Sequence, residues 1–391
     1  MNKLNRKLFT YAINFTILIF GMQMTMIGPV IEKMSQSFQL SVAQMGSFFT
    51  VSAAGFTVAI IFGGIISDRI GKKRVVIWSG FGFASALLLF SLSPSLLFSI
   101  ILFFLAGGFG GAIEGTLSAM VADINPGNER RAVTFAHVFF GVGAIIGPAF
   151  AGWLANTDFP WQSAYMVASL LAFIAVIWVI RFEYPAVKAE EKLEMKAFKS
   201  ILSNRGFLLL CTAVALYVGV ETTVWGWTPK YLSLDLGLNE TFAGVMVSLL
   251  WAGITIGRFI SAMLSEKFSN KVLVSGLCLI SILGLLAQLS SALQPFAPVT
   301  FFLLGIGFSG IWPLIVSEAG TLFKSKYTGT AFGLAFAAGG IGGMTVPYIF
   351  GFIAEHVQMS ILFATLTIPL IFIMIISFIL DKAEEVEESA A

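Results

Sequence analysis

The chain has 391 residues, of which 57% are hydrophobic and 11% charged, and its mean hydropathy is +0.91. A soluble domain carries about 25% charged residues, so this composition excludes an ordinary soluble domain and indicates a polytopic membrane protein. The net charge of +2 decides little, and the cations are spread over short loops, with no patch for nucleic acid.

Taken in chain order, the apolar runs predict twelve membrane helices: about 8–31, 42–65, 75–93, 97–122, 132–153, 163–181, 207–229, 241–264, 272–292, 298–322, 330–353 and 358–380. The runs are too long for barrel strands and lack two-residue alternation. The expected fold is therefore all-α. The first run follows Lys3 to Lys7 like a signal peptide, but it exceeds an h-region and has no small-residue cleavage site, so it reads as an uncleaved span. Cys211 and Cys278 fall inside spans and read as buried apolar thiols, not a disulfide or metal site.

Charge sets the orientation. Apart from Lys33 and Lys230 on the other side and Arg258 within a span, every Lys and Arg falls at the N-terminus, in alternate loops, in the central linker or in the tail. Cations mark the cytoplasmic face, so a multi-pass protein of the inner or plasma membrane with both termini cytoplasmic is expected. Four segments follow: an N-terminal six-helix bundle at 1–181, a polar linker at 182–206, a second six-helix bundle at 207–381, and an acidic tail at 382–391 expected to fray. The linker holds Glu190, Glu191, Lys192, Glu194, Lys196 and Lys199 and reads as a surface amphipathic helix. The two halves look like repeats. Gly21 and Gln23 align with Gly219 and Glu221, Asp68-Arg69 with Glu266-Lys267, Phe103-Phe104 with Phe301-Phe302, and Pro148 falls within one residue of Pro347.

The loop between spans 2 and 3 is the strongest motif. Gly64, Asp68, Arg69, Gly71, Lys72, Lys73 and Arg74 form the pattern G-x-x-x-D-R-x-G-K-K-R. This resembles the corresponding loop of the major facilitator superfamily, a class of membrane transporters. The resemblance implies two pseudo-symmetric six-helix bundles with the substrate site near the midplane between them, and a gating role for Asp68, Arg69, Gly71 and Arg74.

Three carboxylates lie inside spans: Glu114, Glu221 and Glu318. Such groups are costly in hydrocarbon and usually face a cavity, a partner or an ion path. Glu114 stands in a glycine-rich stretch of span 4; proton coupling competes there with a purely structural bond to a neighbouring helix. Glu221 stands with Tyr217, Thr222, Thr223, Trp225 and Trp227 in span 7. Carboxylates bond sugar hydroxyls and rings stack on sugar C–H faces, whereas interfacial aromatics would explain Trp227 and Tyr231 but not Glu221. Glu318 fits structural pairing as well as transport. Arg258 reads chiefly as a snorkelling or carboxylate-pairing residue. His137 titrates in a range suited to proton coupling, although a lone histidine is more often simply hydrogen-bonded. Gln23, Asn14, Trp251, Gln288 and Trp312 complete the candidate substrate-binding set, with Gln23 weighted as the repeat mate of Glu221.

The motifs Gly110-Gly-Ala-Ile-Glu114, His137 to Ala144 and Tyr217-Val-Gly-Val-Glu221-Thr222, with Ser309-Gly310-Ile-Trp312-Pro313, resemble the fucose/glucose–proton symporter branch. That resemblance implies that Glu114 is the coupling or sugar-binding carboxylate. Fucose-transporting members also use a span-1 aspartate, whereas span 1 here offers only Asn14 and Gln23, which leaves glucose-like hexoses ahead. A competing stretch, Gly143 to Gly152 with Gly147-Pro148, is similar to the span-5 signature of drug–proton antiporters.

The expectation is therefore a secondary active transporter, not an enzyme. It would take up a neutral monosaccharide by alternating access, driven by protons through Glu114 and Glu221. The alternative is proton-coupled export of drugs or other amphipathic molecules. Sodium could use the same carboxylates. A monomer in the lipid bilayer is expected, without cofactor or metal.

Overall fold

The computed structural model describes residues 3–125, 129–184, 201–289, 291–321 and 328–390. Among these residues it is built of helices alone: α1 (Lys3–Thr25), α2 (Ile27–Phe38), α3 (Val42–Ile70), α4 (Lys72–Ser91), α5 (Leu96–Asp123), α6 (Glu129–Ala155), α7 (Gln162–Ile180), α8 (Arg205–Leu234), α9 (Glu240–Leu264), α10 (Asn270–Ala287), a 3-10 turn at Ser291–Phe296, α11 (Ala297–Ser309), α12 (Ile311–Thr321), α13 (Thr328–Ile353), α14 (Met359–Thr365) and α15 (Thr367–Ala390). Twelve stretches are long and apolar enough to cross a membrane. Most of the expected linker, residues 185–200, lies outside the described residues. The tail was expected to fray. Instead α15 continues to Ala390, because 381–390 contains strong helix formers and neither Gly nor Pro.

Spans 1, 10 and 12 are each broken in two, and proline explains all three breaks. α1, α11 and α14 end at Thr25, Ser309 and Thr365, each four residues before a proline: Pro29, Pro313 and Pro369. A proline has no N–H to bond the carbonyl four residues back, and its ring crowds that carbonyl. Pro148, Pro229 and Pro347 are carried within unbroken helices.

The halves pack by one scheme. In the first half α3 lies on α5, α1 on α6, α4 on α5 and α7, and α1 on α7; in the second half α9 lies on α11, α8 on α13, α10 on α11 and α15, and α8 on α15. Individual contacts repeat too. A Cβ on Gly55 would collide with the Phe104 carbonyl, and one on Gly253 with that of Phe302; a Cβ on Gly107 would strike Ser52, and one on Gly305 Leu250. Only glycine permits so close a helix approach.

The seam between the halves is formed by α3 against α13, α6 against α9, and α2 against α8. Its contacts run from mid-membrane to the side away from the termini. Thr57 touches Gly340, Gly141 touches Thr255, and Gly152 lies against Gly244. Thr50 donates to the Met344 carbonyl at 2.9 Å, Thr241 donates to the Gly152 carbonyl at 3.3 Å, and the Ala43 N–H donates to Glu355 at 3.1 Å. Phe49 packs on Trp225 and Trp227 with centroids 5.9 and 5.8 Å apart. Lys230 is ion-paired with Glu32, 198 residues away; that offset also relates Gly55 to Gly253, so the two partners are equivalent positions of the repeat. Gly28 and Gly226, also equivalent, are in direct backbone approach one turn away. On the terminal side, three polar contacts each stay within one half: Lys72 with Asp123, Lys73 with the Ile180 carbonyl, and Asn125 with Thr10.

Candidate functional site

Four helices bring ionisable side chains to one place. Glu114 comes from α5, His137 from α6, Tyr217 and Glu221 from α8, and Arg258 from α9. Each of the other four lies within electrostatic range of Arg258, and α6, which carries His137, packs across the seam on α9, which carries Arg258. Glu114, His137, Glu221 and Arg258 are all half-buried. Among the described residues Arg258 forms no ion pair and donates no hydrogen bond. It stands beside Gly257, which is packed on Ser309 at the break in span 10.

Glu221 is held from one turn below. The Tyr217 hydroxyl, itself buried, lies 2.9 Å from Glu221 Oε1 and 2.7 Å from the Phe308 carbonyl oxygen. Phe308 is in the last turn of α11, where carbonyls lack a continuing intrahelical partner.

The aromatic candidates surround this group. Trp251 lies two turns before Arg258 on α9, packs edge-on against Phe140 at 5.7 Å across the seam, and has a buried indole N–H without a partner. Trp225 is one turn beyond Glu221, against Phe49. Trp312 opens α12 and meets Phe336 edge-on at 5.0 Å. Gln23 is buried at the end of α1, beside the break at Met26.

Two candidates stand apart from the cluster. Asn14 is fully buried toward the terminal half of α1, and neither polar atom of its amide has a partner. Gln288 caps α10 on the far side, where its amide donates to the Gly284 carbonyl and to Thr300, and its backbone carbonyl accepts from Tyr231. That amide is already engaged as a structural joint.

In the span 2–3 loop, Gly71 joins α3 to α4 at φ +93°, a conformation that only glycine adopts readily. Arg74 is exposed. The side chains of Asp68, Arg69 and Glu318 lie outside the described ones. The loop's visible anchor is Lys72, which reaches Asp123 at 2.7 Å; Tyr184 also donates to Asp123. Burial, then the Asp123 hydrogen bond and charge, push the Tyr184 hydroxyl well above its ordinary range, so it remains a donor at any physiological pH.

Sequence reasoning undervalued Arg258, Lys72 and the Glu32–Lys230 pair. The first stands two turns from Trp251 on one helix face, and the last matches the repeat offset, so both carried a readable signal. Among the described residues no group of three His, Cys, Asp or Glu gathers to hold a metal.

Residues 13–287 and 214–391 match the profile of the Major Facilitator Superfamily. The chain is 25% identical over 373 residues to the gentisate transporter of Corynebacterium glutamicum, covering 88% of this chain and 81% of that protein. It is 24% identical over 360 residues to the glucose/mannose transporter GlcP of Bacillus subtilis, covering 88% and 86%. Its fold matches a bacterial homologue of the human lysosomal transporter Spinster in an inward-facing, unoccupied conformation, with a TM-score of 0.79, 14% identity and 97% of each chain covered. It also matches the fucose–proton symporter FucP of E. coli, with a TM-score of 0.67, 17% identity, and 95% and 98% covered.

Proposed function

The chain belongs to the Major Facilitator Superfamily, and we propose that it is a proton-coupled transporter taking up a neutral, glucose-like monosaccharide by alternating access. The family is one of transporters, not enzymes. The observation that carries the proposal is the meeting of Glu114, His137, Glu221 and Tyr217 around Arg258, from helices of both halves. Arg258 supplies a guanidinium beside these groups, so the carboxylates can load and release protons around a positive centre. Tyr217, Glu221 and Gln23 offer hydroxyl partners, and Trp225, Trp251 and Trp312 offer rings. The glucose/mannose relative supports the substrate class.

In this proposal the terminal side is cytoplasmic. The seam is closed on the outer side by Glu32–Lys230, Glu355–Ala43 and the glycine contacts, so the structure is the inward-facing state. Asp68, Arg69, Gly71 and Arg74 belong to the gate that closes the cytoplasmic side in the alternate state.

A second reading is favoured by one observation. Arg258 makes no ion pair among the described residues, and a guanidinium at a midplane site suits a carboxylate substrate; the relative named a gentisate transporter fits that chemistry. Proteoliposomes with an imposed pH gradient separate the readings. Gradient-driven accumulation of labelled glucose supports the first. Accumulation of gentisate with no hexose movement selects the second. Expulsion of a lipophilic cation with neither would replace both with the export reading.

A further inference from the structure

The Tyr217 hydroxyl has one hydrogen but stands at bonding distance from two oxygens, Glu221 Oε1 at 2.9 Å and the Phe308 carbonyl at 2.7 Å. A backbone carbonyl can only accept. Either Tyr217 shares its one hydrogen between the two acceptors, or each contact is a full bond, with Tyr217 donating to Phe308 and Glu221 donating to Tyr217. An ionised carboxylate has no hydrogen to give. Two separate, full hydrogen bonds at this hydroxyl therefore need a protonated Glu221.

The far end of this chain of bonds is the break in span 10. Phe308 is the penultimate residue of α11; Gly310 separates α11 from α12, and Pro313 withholds the N–H that Ser309 would need. The junction is packed rather than loose. Ser309 lies against Gly257, and Gly310 against Ser261 and Leu277.

We infer that Tyr217 is a positioning residue that transmits the protonation state of Glu221 to the α11–α12 junction. With Glu221 protonated, Tyr217 holds the Phe308 carbonyl. When the Glu221 proton leaves to water, the carboxylate becomes the better acceptor, Tyr217 donates to it, and Phe308 is released. The junction is then free to open. This rests on the proposed proton coupling at Glu221 and adds the route by which a proton moves a helix.

Several charged and titratable groups surround the relay. Arg258 on α9, Glu114 on α5, His137 on α6 and Cys278 on α10 act on its members or beside them. Glu32 on α2 pairs with Lys230 at the outer end of α8, Lys33 on α2 and Tyr348 on α13 belong to helices packed against α8, and the Glu318 side chain on α12 lies outside the described ones.

Amide hydrogen exchange on the full chain in lipid nanodiscs, corrected for the intrinsic effect of pH, tests the relay without any substrate. In the unsubstituted protein, protection of residues 305–317 should fall about two- to tenfold as pH rises through the Glu221 transition, the weight of one ordinary hydrogen bond. Glu221→Gln keeps an N–H donor toward Tyr217 and should remain protected at both ends of the range. Tyr217→Phe should be unprotected at both ends. Glu114→Gln and His137→Gln shift the midpoint at most and leave both plateaus. Unchanged pH dependence in Tyr217→Phe overturns the relay, as does Glu221→Gln falling on the unprotected plateau. If transport proves independent of the proton gradient while the two variants still occupy opposite plateaus, the coupling proposal fails and the relay stands.

Discussion

Lys72 reaches Asp123 at 2.7 Å and so ties the start of span 3 to the end of span 4 on the terminal side. Both side chains are about one-fifth exposed, so the bond is partly screened by water. The charged loop is therefore fastened to its own half, as the proposed gating role requires.

Lys72→Ala should cost about 0.2–1 kcal/mol of stability and slow turnover several-fold with little change in half-saturating substrate. Counterflow rates across substrate concentrations check this. A raised half-saturation with normal turnover would assign the loop to binding. Asp68→Asn should behave in the same way.

Breaking the Glu32–Lys230 pair should destabilise the closed outer side. Lys230 is buried and Glu32 is partly exposed, and a hydrogen bond to a charged group is worth about 1.5–3 kcal/mol. Lys230→Met should raise labelling of an outer-side cysteine by an impermeant reagent. Exchanging the two charges, Glu32→Lys with Lys230→Glu, should restore most of the closure. Labelling that ignores both changes would show that this side closes without the ion pair.

Glu355 gives the seam a pH dependence. Its hydrogen bonds with Ser41 and from the Ala43 N–H hold its carboxyl below the ordinary range. A lowered folded pKa stabilises above the ordinary carboxylate pKa of about 4.3 and loses that contribution as pH falls through the lowered value. Glu355→Gln should therefore lower Tm at neutral pH, and its difference from the unsubstituted protein should vanish on strong acidification. Thermal melts across pH measure it; a gap that widens in acid would contradict the assignment.

Glu114→Gln should abolish proton-driven accumulation yet spare exchange of substrate across the membrane, since exchange needs no net proton release. Glu221→Gln should instead weaken binding, by about 1.5–3 kcal/mol if Glu221 holds a sugar hydroxyl. Accumulation and counterflow measured side by side decide this. Undiminished, pH-dependent accumulation by Glu114→Gln would remove it as the coupling residue.

The twelve spans were legible because a bilayer demands about 20 apolar residues each time, and the repeat was legible because glycines at close helix contacts cannot drift. The breaks at Thr25, Ser309 and Thr365 were written in Pro29, Pro313 and Pro369, but Pro148 and Pro347 look the same in sequence and break nothing; packing against α1, α8 and α9 decides between them. Glu114, His137, Tyr217 and Glu221 announced themselves as polar groups in apolar runs. Arg258 did too, yet its length and charge are equally suited to snorkelling, and only the packing of α9 against α6 and α8 separates the two readings. Gln288 misled because a polar residue near a span end can cap its own helix.

The Glu32–Lys230 pair also bears on the origin of the chain. Residues related by a two-fold operation touch each other only beside its axis, so this pair marks where the axis passes. Two copies of one identical half-chain would bring glutamate against glutamate there, or lysine against lysine. The attraction could arise only after the copies were joined and one had changed its sign. A homodimeric ancestor would have lacked this lock, and beside its axis the outer side would have had to close on the uncharged Gly28–Gly226 contact.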